Sequence, residues 1–113
     1  MGLRIEVLTV ALIVCSFCQG SDVRDEVSRQ SAAADAELKS VCQSLGDALG
    51  PRDNELFQEA QKKWQSFRDA EASFQAGLTS GGGSAYSLDY QTERMEKTRE
   101  RIKVLKKVLD SIK

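Results

Sequence analysis

The sequence predicts an all-α protein, a compact bundle of about three amphipathic helices behind an N-terminal signal peptide. Three observations lead there. Beyond residue 20 the chain is dominated by Ala, Glu, Gln, Lys, Arg and Leu, with few aromatics and no run of β-branched residues. These side chains lose little freedom on entering a helix. Apolar residues then recur in steps of three and four within three separate stretches, the spacing that stacks side chains on one helical face. Finally, Gly50-Pro51 and the segment Thr79 to Ser84 separate those stretches with residues that interrupt helices.

At 113 residues the chain has length for one domain. Residues 1–20 read as an export signal: Arg4 and the terminal amine form a weak positive region, and Val7 to Cys18 an apolar stretch of about a dozen residues. That stretch is too short to cross a bilayer as a helix. Small residues at Cys18 and Gly20 place cleavage after Gly20, leaving residues 21–113 as a periplasmic or secreted domain with no transmembrane segment. Cys42 is then the sole cysteine, so no internal disulfide forms. It falls on an apolar stripe and reads as a small buried hydrophobe; a reactive or dimer-forming thiol is the alternative.

The first helix is expected over about 22–49. Val23, Val27, Ala34, Leu38, Val41, Cys42, Leu45 and Leu49 share a face, and Asp22, Asp25 and Glu26 suit its positive end. Gly46 weakens its last turn, and Gly50 supplies a left-handed exit. Asp53 or Asn54 is expected to cap a second helix over about 53–78. Its stripe is Leu56, Ala60, Trp64, Phe67, Phe74 and Leu78, with Phe57 at the margin, and Trp64, Phe67 and Phe74 are expected to anchor the core. Gly82, Gly83 and Ser84 belong to a glycine-rich turn. It is not a phosphate cradle, because no strand precedes it and no Lys-Ser or Lys-Thr follows. The third helix, over about 88–112, carries Met95, Thr98, Ile102, Leu105, Leu109 and Ile112 in alternating steps of three and four, a seam suited to packing at a shallow angle.

Charge is unevenly divided. Ser21 to Glu59 holds nine acids and four bases, whereas Arg94 to Lys113 holds eight bases and three acids. The simplest arrangement sets the acidic first helix beside the basic third one; a binding patch on either is the alternative. The chain has no histidine, which removes the commonest general base and metal ligand. One cysteine without histidine gives neither a catalytic dyad nor a zinc site, so no enzyme activity, metal or cofactor is expected. Nucleic-acid binding is not expected either, because aromatics do not interleave with the lysines of the third helix.

One cluster is less ordinary. Gln61, Arg68 and Asp69 surround the Trp64 and Phe67 stripe, and Thr98 and Arg101 lie on or beside the third seam. Partly buried polar groups need partners. The plain reading is a brace in which Arg68 or Arg101 pairs with Asp69 and Thr98 bonds a backbone carbonyl; a contact surface for another protein is the other.

The same residues carry a resemblance. Asp35-Ala36-Glu37-Leu38, Ala60-Gln61-Lys62-Lys63-Trp64, Phe67-Arg68-Asp69-Ala70, Gly82-Gly83-Ser84 and Thr98 with Arg101 and Leu105 follow in that order. Together, over about Ser31 to Val108, the chain resembles the lysozyme inhibitor LprI-like N-terminal domain family, small exported bacterial helical domains. The resemblance implies a cysteine after the arginine–aspartate pair and another ahead of the threonine motif, joined as a disulfide. Here Ala72 stands near the first position and no cysteine occurs near Thr92 or Glu93. A bridge worth roughly 2–4 kcal/mol is thus replaced by packing or association.

The resemblance also implies a protein partner such as a lysozyme, and inhibition by binding. Lysozymes are typically basic, so an inhibitor should present an acidic surface or insert a loop; the first helix and the Gly81 to Ser84 turn are the two candidates. No inhibitory residue transfers from the resemblance. The rival reading is an assembly module of the cell envelope, pairing with itself or another envelope protein through the seam of the third helix. A third possibility is docking of that basic helix on an anionic envelope surface.

Overall fold

The computed structural model describes residues 19–113 apart from Gly82, so the apolar segment read as an export signal lies outside the described residues. Three helices account for nearly all of the rest: α1 (Gln19–Ala48), α2 (Pro51–Ser80) and α3 (Tyr86–Ile112). No strand occurs among the described residues. The all-α bundle follows the expected periodicity.

The boundaries differ from expectation for local reasons. α2 starts at Pro51, with Gly50 as its N-cap, and not after an Asp53 or Asn54 cap. Proline is tolerated in a first helical turn because it lacks only an N–H that would be unpaired there. Gly50 is extended (φ −70°, ψ 168°) and not left-handed, so the chain reverses by entering the next helix directly. The left-handed residue is Gly81 (φ 61°), whose N–H bonds the Gly77 carbonyl at 2.9 Å and ends α2. Ser80 donates to Asp89, and the Ser73 and Tyr86 hydroxyls lie 2.6 Å apart, which ties the α2–α3 hairpin.

α3 is the hub. It runs parallel to α1 and antiparallel to α2, and both pack along it while touching each other little. The smallest dimension of the Cα trace is 16 Å, close to one layer of helices. At the α1–α2 corner Gly46 permits close passage, since a Cβ there would stand 3.1 Å from Asn54 Oδ1.

The core lies where the two outer helices clasp α3. Leu38, Val41 and Leu45 of α1 meet Ile102 and Leu105 of α3, with Cys42, Leu49, Phe57, Trp64 and Leu109 packed against them. Toward the other end Ala34 and Met95 are buried, and fully buried Ala72 and Ala76 let α2 approach α3 closely. The stripes read on α1 and α3 therefore face inward, except at their ends, where Val23 and Ile112 are exposed.

The stripe read on α2 is corrected. Leu56, Phe67, Phe74 and Leu78 are 57 to 68% exposed, and Ala60 is exposed too. Phe67 and Phe74 do not anchor the core. Only Trp64, half-buried, and Phe57, read as marginal, pack inward. The inward face of α2 is instead Phe57, Gln61, Trp64, Arg68, Ala72 and Ala76. Polar and small residues occupy the positions that pack on α3, so the largest apolar side chains fall beside that face.

Candidate functional site

The inward face of α2 carries a buried cation. Arg68 is 4% exposed, and an isolated guanidinium in such a place would be strongly unfavourable. Three neighbours compensate it. Its Nε donates to Asp69 Oδ1 at 2.9 Å, its Nη1 reaches Thr98 Oγ1 at 3.4 Å, and its guanidinium carbon lies 5.0 Å from the centroid of Trp64. Thr98 is fully buried and donates to the Arg94 carbonyl at 2.9 Å. Its hydroxyl hydrogen is thus engaged within α3, leaving its lone pairs for Arg68.

Arg94, also on α3, extends the network to α1. Its Nε lies 3.3 Å from Asp69 Oδ1, and its Nη1 donates to both oxygens of Asp35 at 3.2 and 3.1 Å. One arginine of the hub therefore holds a carboxylate from each outer helix. A second assembly adjoins it: Arg101 Nε donates to Gln61 Oε1 at 3.1 Å, and the Arg101 guanidinium lies 5.5 Å from the same indole. Trp64 thus serves two cations; each cation–π contact contributes about 0.5–2 kcal/mol, depending on desolvation.

Arg101 can only donate, so it fixes the orientation of the Gln61 amide, with oxygen toward the guanidinium. The Gln61 nitrogen is then buried with no hydrogen-bond partner. Gln61 also lines a cleft of about 330 Å³ between α1 and α2, whose walls include Asp35, Leu38, Lys39, Cys42 and Arg94.

Of the residues singled out in the sequence, Asp35, Gln61, Trp64, Arg68, Asp69, Thr98 and Arg101 converge here. Arg68 takes Asp69 and Thr98 bonds a carbonyl as expected, but each of these contacts stays within one helix; the links between α2 and α3 are Arg68–Thr98, Asp69–Arg94 and Gln61–Arg101. Leu38 and Leu105 lie in the adjoining core. Phe67 points to solvent, Gly83 and Ser84 lie in the α2–α3 turn, and Gly82 is outside the described residues. Arg94 was not singled out, although its place four residues before Thr98, on the same face, was the available signal.

The expected juxtaposition of acidic α1 and basic α3 is present. Besides Asp35–Arg94, Lys106 Nζ lies 2.6 Å from Glu37 and Arg99 donates to Gln30 at 3.0 Å. The Lys106 pair is half-exposed and so fixes register more than it adds stability, about 0–1 kcal/mol.

Cys42 is a free, half-buried thiol on the cleft wall. Burial pushes its pKa up, and the positive charge of Arg101 offsets part of that rise. The thiolate is therefore scarce at neutral pH. Cys42 should alkylate more slowly than a free cysteine in mildly alkaline buffer, and Arg101→Gln should slow it further. Alkylation as fast as that of an unfolded peptide would show the thiol to be open to solvent.

Fold and site together define a small helical domain organised around a charged brace on a central helix. The chain belongs to the lysozyme inhibitor LprI family, whose model matches residues 15–105. Comparison with curated proteins and with solved structures returns no match.

Proposed function

We propose that this protein is an exported, non-catalytic inhibitor that binds a lysozyme or a related cell-wall lytic enzyme. Membership of the lysozyme inhibitor family over residues 15–105 carries this reading. The apolar N-terminal segment supports export, with residues 1–20 removed after Gly20 and residues 21–113 acting outside the cytoplasm. No described helix is long and apolar enough to cross a membrane. In this reading the brace of Asp35, Gln61, Arg68, Asp69, Arg94, Thr98 and Arg101 holds the helices in register and leaves recognition to the exterior.

Charge narrows where the partner docks. Asp35 and Glu37, in the middle of α1, are engaged by α3. Asp47, Asp53 and Glu55 are exposed around the α1–α2 corner, beside Arg52 and the exposed Lys107 and Lys113 at the end of α3. Those three carboxylates are the acidic group that a basic enzyme would contact there. The purified protein, in molar excess, should slow bacterial-cell lysis by at least one lysozyme type. The double replacement Asp53→Lys and Glu55→Lys should weaken that inhibition. Unchanged lysis across lysozyme types would remove the reading.

A further inference from the structure

The outer face of α2 is an apolar face that the fold leaves uncovered. Leu56, Phe67, Phe74 and Leu78 are each more than half exposed, and Ala60 and Ala70 are exposed between them. They lie in steps of three, four and seven, so they form one stripe along the helix. From Leu56 to Leu78 it extends about 33 Å at the helical rise of roughly 1.5 Å per residue.

The order of side chains along this stripe is symmetric about Phe67. Ala60 and Phe74 stand seven positions to either side and Leu56 and Leu78 eleven; nearer the centre, the counterpart of Ala70 is the half-buried Trp64, at the margin between this stripe and the inward face. An antiparallel copy centred on Phe67 would thus set leucine at the height of leucine, and a large ring at the height of an alanine at both intermediate levels. A two-fold interface requires this self-complementarity, the same patch serving both partners. Large residues facing small ones also let two helices interdigitate.

We propose that the outer face of α2 is a homodimer interface, in which a second copy of this chain packs antiparallel on the first with Phe67 at the two-fold axis. The four large side chains supply roughly half of the ~800 Å² that a standard interface buries on each partner. The adjoining groove of Trp64, Lys97, Arg101 and Val104 extends the patch onto α3. The stripe is flanked by Glu59, Lys63 and Glu71, charges of both signs, so pairing does not align a single sign against itself. The proposal is independent of lysozyme inhibition, because Asp47, Glu55 and the α1–α2 cleft lie off this stripe and stay open in such a dimer.

The test is sedimentation velocity of the purified protein from low-micromolar to sub-millimolar concentration, beside Phe67→Glu. The wild type should shift toward a dimer as concentration rises. Phe67→Glu should stay monomeric with an unchanged melting temperature in dilute solution, since Phe67 contributes little to the monomer core. Disulfide trapping fixes the geometry, with Cys15, Cys18 and Cys42 replaced by alanine. Phe67→Cys should crosslink to itself. Leu56→Cys should not, since its copies lie at opposite ends of the seam, but should crosslink when mixed with Leu78→Cys. A monomer at every concentration, a dimer indifferent to Phe67→Glu, or Leu56→Cys crosslinking to itself would each overturn the proposal. So would a monomeric chain whose Phe67→Glu variant loses only lysozyme binding, because the face would then belong to the target.

Discussion

Leu45→Ala is expected to destabilise the protein by about 3–5 kcal/mol. Among the described residues Leu45 is the most deeply buried large apolar one, 1% exposed, and it sits in the core that joins α1 to α3. Truncation removes its transfer free energy and leaves a cavity that two long helices cannot close without shifting their register. For a domain of this size each kcal/mol moves the melting temperature by about 4–8 °C, so the midpoint of the helical circular-dichroism signal should fall by roughly 20 °C. Leu78→Ala is the matched control. At 68% exposure, it should change the stability of dilute protein by only about 0.5 kcal/mol. Equal effects at the two leucines would contradict this core.

The second large effect separates two aspartates that look alike by exposure. Asp69 and Asp35 have side chains 47% and 43% exposed, yet their partners differ. Asp69 compensates Arg68, whose side chain is 5% exposed; Asp35 is held by Arg94, which at 24% exposed also contacts Asp69. Asp69→Ala strands a buried guanidinium and is expected to cost about 2–4 kcal/mol. Asp35→Ala leaves Arg94 with a second carboxylate and water, and should cost about 1 kcal/mol or less. Adding Arg68→Met to Asp69→Ala removes the stranded charge while keeping most of the volume, so the double variant should be more stable than Asp69→Ala alone. Urea midpoints at constant slope measure all three. Equal losses at the two aspartates would mean that Arg68 does not depend on Asp69.

How much of this was legible in the sequence depended on whether burial followed hydrophobicity. On α1 and α3 it does: Leu38, Val41, Leu45, Ile102 and Leu105 are both the apolar and the buried positions, and their spacing gave face and length alike. On α2 the two part company. Its contact with α3 is made by Gln61, Arg68, Ala72 and Ala76, polar or small residues that periodicity assigns to solvent. The apolar signal instead followed Leu56, Phe67, Phe74 and Leu78, a second stripe that the fold does not use internally. The polar cluster pointed the right way, because Arg68, Asp69 and Thr98 near an aromatic stripe need partners. That cluster was the better guide to the orientation of α2. Arg94 and Asp35 were harder to join, since the link runs between helices far apart in sequence and no local pattern encodes it.

The dependence of both outer helices on α3 has a temporal consequence. The hub is the last of the described helices to be synthesised, and α1 and α2 contact each other too little to support a fold between themselves. Isolated helical segments are marginal without tertiary contacts, so a nascent chain that has made only its first two helices has almost no stable structure to lose. Such a polypeptide stays a slack thread, narrow enough to pass any channel that admits an unfolded chain, and seizes its shape only once α3 joins it.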